Sequence, residues 1–199
     1  MELWYFDFAD AQARRITADN LNATLGSPFG WFRDSKSLYI SVLPSDRPAL
    51  TDTRKAIPSG PTVSVSQEGV QAQNRTYQDL LQNKIDEDNF DALVTSEIHK
   101  VDLSGRTEPF LSKDIYTRLA FSPDGSYLLV AKLRRPYSYS VPYSRFPTVT
   151  DIYDVSGKLL IHFHERPLIE ALPKGFMATP GQENGTSAGG AINRLRSIG

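Results

Sequence analysis

The stretch "FSPDGSYLLV" (Phe121–Val130) decides how the chain folds. Phe121 is an aromatic suited to a sheet core. Pro123 presets φ, and Asp124-Gly125 supply a tight turn. Leu128, Leu129 and Val130 then make an uninterrupted apolar run, which reads as a strand buried on both faces. The stretch therefore predicts strand, tight turn, buried strand.

Upstream, "FGWFRDSKSLYISVL" (29–43) repeats that grammar. Aligning Asp34 with Asp124 puts Trp31 on Phe121 and Leu38 on Leu128. A second pair matches "VDLSGR" (101–106) to "YDVSGK" (153–158), each a strand end followed by a Ser-Gly turn. "VTDIYDVSGKLLIHFHE" (149–165) opens what reads as a third copy. At the N-terminus Leu3, Tyr5 and Asp7 alternate with Trp4, Phe6 and Phe8, the pattern of a half-buried strand. A small antiparallel meander cannot bury both its faces alone, so such units stack. The expected fold is mainly β: a partial β-propeller of about two to three antiparallel blades over residues 1–178.

Two segments interrupt the pattern. Residues 44–94 form an insertion, rich at first in Pro, Ser, Thr and charge. It is expected to turn helical over 76–94, with Thr76 and Asp79 as a variant capping box and two short helices broken near 83–88. "RRPYSYSVPYSRFP" (134–147) holds three prolines, three tyrosines and three arginines. It is expected to extend one strand past the sheet, cross, and return as the outer edge of the next unit. From about residue 179 the composition turns to Gly, Ser, Thr and Asn, and a disordered tail is expected.

Composition excludes several function classes. The net charge of -1 gives no electrostatic case for nucleic acid or an anionic membrane as partner. There is no Cys, which removes disulfides, thiolate zinc sites and a Cys nucleophile. No apolar run approaches the ~18 residues of a membrane span, and the first residues lack the pattern of a signal peptide. Nothing in the sequence fixes compartment or oligomeric state.

Four motifs invite chemistry. Gly185-Thr186-Ser187-Ala188-Gly189 matches G-x-S-x-G, but a nucleophile elbow needs a hydrophobic strand before the serine and "TPGQENG" supplies none. His162 and His164, two apart on a strand, would share one face, with no third metal ligand marked. "DEDNFD" (86–91) has Phe90 and Asp91 where a calcium loop needs an oxygen donor and a glycine. Asn22, Asn74 and Asn184 sit in N-x-T triplets. Neither a metal nor a cofactor is expected.

Taken in order, "RTYQDLL" (75–81), "FSPDGSYLLV", "RPYSYSVPYSRFP" (135–147) and "LPKGF" (172–176) resemble the prolyl oligopeptidase superfamily of serine peptidases, specifically its glutamyl endopeptidase-like branch. The resemblance covers roughly residues 3 to 176. It implies an N-terminal propeller that gates and selects peptide substrates, with Ser, Asp and His on an α/β-hydrolase domain lying outside this chain. No residue here then inherits the triad, and the chain alone is expected to be inactive. Peptide substrate is the partner implied, in the context of the full-length enzyme. Arg134, Arg135 and Arg145 are the candidate substrate-binding residues, because a propeller arginine facing the inner chamber could hold a substrate carboxylate bidentately. The commoner role for such arginines is to bridge blades or face solvent. The alternative to the peptidase reading is a non-catalytic propeller-like binding module, or the product of a truncated gene.

Overall fold

In the computed structural model, which describes residues 1–52 and 77–170, the internal repeat is matched strand for strand. One four-stranded antiparallel sheet is β3 (Phe29–Trp31), β4 (Ser37–Val42), β5 (Ser96–Asp102) and β6 (Thr107–Asp114), neighbours in chain order. The second is β7 (Tyr116–Phe121), β8 (Tyr127–Leu133), β9 (Thr148–Asp154) and β10 (Leu159–Arg166), again in chain order. A hairpin of β1 (Trp4–Asp7) and β2 (Gln12–Arg15) completes the strands among the described residues. The stretch expected to open a third copy is β9 and β10, the second half of the second sheet.

The aligned aspartates explain why the repeat exists. Asp34 Oδ1 accepts the amides of Lys36 at 2.8 Å and Ser37 at 2.9 Å. Asp102 Oδ1 accepts those of Ser104 at 2.8 Å and Arg106 at 3.1 Å. Asp154 Oδ1 repeats this with Ser156 at 2.8 Å and Lys158 at 3.0 Å. Each carboxylate satisfies turn amides that no strand can reach, so the hairpin closes where the aspartate stands. Gly105 and Gly157 take φ of +87° and +84° in the Asp102 and Asp154 turns, a region costly for other residues. A Cβ on Gly157 would also lie 2.7 Å from the Phe110 carbonyl oxygen of the first sheet.

The two sheets pack face to face. Phe32, Tyr39, Ile98 and Leu111 of the first side meet Leu128 and Val130 of the second, with Phe121 and Tyr153 at the margin. Phe32 makes an edge-on contact with Phe110 at 5.4 Å and a tilted one with Phe121 at 4.8 Å. Each fully buried aliphatic here contributes about 1.5–3 kcal/mol relative to exposure. The opposite face of the first sheet, through Leu38, Ile40, Val42 and Val101, is covered by Ile16 and Leu21 with Leu3 and Tyr5. All six residues of β4 are therefore buried, since both of its faces are covered. Stacked four-stranded meanders of this kind are the arrangement of a partial β-propeller.

The two interrupting segments are equivalent connections. The insertion joins β4 to β5, and residues 134–147 join β8 to β9. The second of these leaves and re-enters the same sheet on adjacent strands, rather than crossing to the edge of another unit. The insertion carries one described helix, α1 (Lys84–Val94), in place of the two expected. Asn83 caps it, its side chain accepting the Asp86 amide, so the expected break is the helix start, and residues 77–83 are irregular. The Thr76 capping box and the expected tail lie outside the described residues.

Among the described residues β10 is an edge strand, with Leu159, Leu160, Ile161 and Phe163 exposed. An apolar edge with free backbone groups is a template for association. The 199-residue chain should therefore self-associate, and Phe163→Lys should shift it toward monomer in sedimentation velocity. An unchanged distribution would place the contact elsewhere.

Candidate functional site

The three arginines singled out in the sequence have different fates. Arg134, just past β8, grips Asp114 at the end of β6 with both Nη atoms, at 2.6 and 2.8 Å. That bidentate bond raises its pKa further, against the opposing effect of burial. Arg135 donates to Glu87 and, at 2.5 Å, to Asp91, both on α1. Its guanidinium also stacks over Tyr137, 4.4 Å from the ring centre. Tyr137 Oη donates to Asp91 at 2.5 Å and Tyr139 Oη to Glu87 at 2.9 Å. Burial disfavours the Arg135 charge, yet its bonds to Asp91 and Glu87 outweigh that and raise its pKa. Arg134 ties one sheet to the other, and Arg135 ties the two connections together. A substrate carboxylate would have to displace existing partners from either.

Arg145 differs. It lies half-buried in a short 3-10 turn, Tyr143–Arg145, and its side chain has no ion-pair partner among the described residues. Arg166 at the end of β10 is close enough to feel its charge. Burial first, and the Arg145 charge second, lower the Arg166 pKa. Arg166 Nη2 donates to Ser144 O at 2.9 Å, Phe146 O at 3.1 Å and Thr148 Oγ1 at 3.0 Å. Its Nε is buried without a partner among the described residues.

Arg166, but not Arg145, borders a groove that the sequence did not reveal. Arg118, Ala131, Thr150 and His164 are paired in register across all four strands of the second sheet. The next row holds Leu133, Thr148 and Arg166. Small residues in the middle strands leave a trough of about 320 Å³ between the basic side chains at its ends. Its polar lining is Arg118, Arg166, His164 and hydroxyl-bearing residues, and among the described residues no carboxylate lines it. Arg118 is exposed on β7, the other edge strand, and has no hydrogen-bond or ion-pair partner among the described residues. It also borders a cleft of about 200 Å³ between β7 and the first sheet, lined by Asn22, Tyr39, Ser41 and Ser96. The sequence signal was present: "YTRLAF" (116–121) puts one cation on an otherwise weakly polar strand just before the decisive turn.

The histidines do not share one strand face as expected. A register shift between them sets His162 opposite Asp151 and His164 opposite Thr150. Among the described residues no three His, Cys, Asp or Glu side chains come together as metal ligands. Asp151 is 0% exposed and lies between Lys132 and His162, whose Nδ1 is 2.8 Å away. Burial opposes its charge, but the bonds to Lys132 and His162 prevail and hold its carboxyl below the usual range. This cluster is a buried charge support for the second sheet. Asn22, one of the N-x-T asparagines, has its amide occupied by Leu93 O, Thr95 O and Ser96 Oγ at 3.0, 3.2 and 2.9 Å, so it has no free amide for a glycan. Asn74, Asn184 and Ser187 lie outside the described residues.

The class of protein that this fold and groove describe is a propeller-like β scaffold with a cationic surface trough. The chain is 33% identical over 176 residues to the probable glutamyl endopeptidase, chloroplastic, of Oryza sativa subsp. japonica, a match covering 87% of this chain and 18% of that protein. It is also 33% identical over 174 residues to the protein of the same name from Arabidopsis thaliana, covering 86% and 18% respectively. The chain thus spans less than a fifth of the length of these relatives. No family model matches it. Among the described residues no helix is long and apolar enough to cross a membrane.

Asp151→Asn should destabilise the chain by about 3 kcal/mol in urea, because it strands the buried Lys132 ammonium. Lys132→Met added to it should recover much of the loss. The Asp151 pKa is lowered on folding, so its contribution is present above the unfolded value of about 3.9 and is lost as pH falls through the folded one. A melting temperature that stays flat from pH 5 to pH 2 would contradict this role.

Proposed function

We propose that this chain is a propeller segment of a prolyl-oligopeptidase-type serine peptidase of the glutamyl endopeptidase-like branch. In this reading the propeller admits and orients peptides, and bond cleavage belongs to an α/β-hydrolase domain elsewhere in a longer polypeptide. The observation that carries the reading is the 33% identity to proteins named glutamyl endopeptidase across a match that takes in most of the chain. Four-stranded sheets stacked in chain order support it, since such units serve as a rigid frame for loops and entry channels. The exposed cationic trough supports it too, because a peptidase acting at acidic residues needs uncompensated positive charge where its substrate lies.

The test begins with the endogenous protein, captured with an antibody raised against residues 84–170. It should be a polypeptide far longer than 199 residues that reacts with a fluorophosphonate probe and cleaves glutamate-containing peptides. The 199-residue chain alone should neither react nor cleave. A captured protein of 22.2 kDa that reacts with no probe would sink the peptidase reading, and labelling of the short chain at Ser187 would replace it with a different one.

A further inference from the structure

Arg118 is set apart from Arg134, Arg135 and Arg166 by what surrounds it. Arg134 and Arg135 meet carboxylates delivered by other elements, Asp114 from β6 and Glu87 and Asp91 from α1. Arg118 meets none among the described residues, although it faces a formed groove. Arg166, at the far corner of the same groove, spends Nη2 on two carbonyls and Thr148 and keeps a buried Nε with no partner among the described residues. A desolvated guanidinium without a counter-charge is costly, and Arg145 beside it makes that worse. Among the described residues the groove therefore carries positive charge without a counter-charge, which an anion would complement.

The shape of the site says what carries that anion. Arg118 stands on β7, whose outer edge pairs with no other strand among the described residues. An extended peptide can add to such an edge through its backbone and send alternate side chains to opposite sides. On one side of β7 lies the cationic groove, and on the other the cleft beside Tyr39 and Ser96. We propose that Arg118, with the hydroxyls of Thr150 and Tyr143, binds the side-chain carboxylate of a glutamate or aspartate in a peptide extended along β7, in a groove whose far end Arg166 keeps positive. The planar fork of Arg118 matches a carboxylate bidentately, and the hydroxyls can donate to its remaining lone pairs. This deepens the peptidase reading and rests on it for the identity of the peptide as substrate.

The test uses the purified 199-residue chain and a blocked pentapeptide with a central glutamate among alanines. Calorimetry should show it binding at least tenfold more tightly than its glutamine counterpart. Arg118→Gln should erase that difference, and Arg118→Lys should keep part of it; both variants should fold normally, since the side chain is exposed. Equal binding of the two peptides, or a preference that survives Arg118→Gln, overturns the proposal. Acetate or inorganic phosphate binding as tightly as the peptide would reduce the groove to a site for free anions and also overturns it. The two readings fail separately. Arg118-dependent glutamate preference in a captured protein that no fluorophosphonate labels sinks the peptidase reading alone. A labelled, active protein whose chain binds both peptides equally sinks this inference alone.

Discussion

The contact between the two sheets is the constraint on which the rest depends. Leu128 and Val130 are fully buried only because Phe32, Tyr39 and Ile98 lie against them from the first sheet. Neither meander has enough apolar surface to stand by itself. Once the sheets are stacked, much else is fixed. The Asp154 turn comes down onto Phe110, where only a glycine fits at position 157. The ends of β6 and β8 come close enough for Asp114 and Arg134 to join. The connections β4–β5 and β8–β9 emerge at the same end and touch.

That last consequence gives the irregular segments their order. α1 has a weakly amphipathic sequence and eleven residues, which is marginal for a helix in isolation. Its acidic side chains Glu87 and Asp91 are held by Arg135, Tyr137 and Tyr139 from the equivalent connection of the second sheet. Phe90 packs edge-on against Tyr137 at 5.4 Å and Phe146 at 6.2 Å. The proline- and tyrosine-rich segment and the helix are each other's support. An arginine in this seam acts as structure, while one outside it, such as Arg118, is available for a ligand.

The regular part of the fold was legible because its signals are local. A Pro-Asp-Gly turn, an aspartate before Ser-Gly and an alternating strand each act within a few residues, and the sheets follow from aligning them. The connections were not legible, because their geometry is decided by partners far away in sequence. Asn83 caps a helix where residue types suggested a break, and the cap matters because α1 is pinned from the second sheet. The same distinction divides the arginines. Arg134, Arg135 and Arg145 stand out by their proline and tyrosine neighbours, which mark an unusual backbone. Whether a cation is already neutralised depends on contacts such as Arg134–Asp114, twenty residues apart and in different sheets. The register shift between His162 and His164 was invisible for a similar reason: a bulge belongs to a strand pair rather than to one strand.

The separation of neutralised from free charge also explains how the trough can persist without a ligand. Asp151 is fully buried and could not stay ionised without Lys132 and His162, so its partners are built in. Arg118 is exposed, and water screens its charge at little cost. It can wait unpaired at the edge of β7 and give up its hydration only when a carboxylate arrives. Arg166 cannot do that, since its Nε is already out of water; the three acceptors on Nη2 compensate in part and hold its plane in place. One arginine is exposed and unpaired among the described residues, and the other is held by three acceptors with its Nε buried. The first can meet an anion from solution, and the second stands ready at the far end of the same groove with the geometry already set.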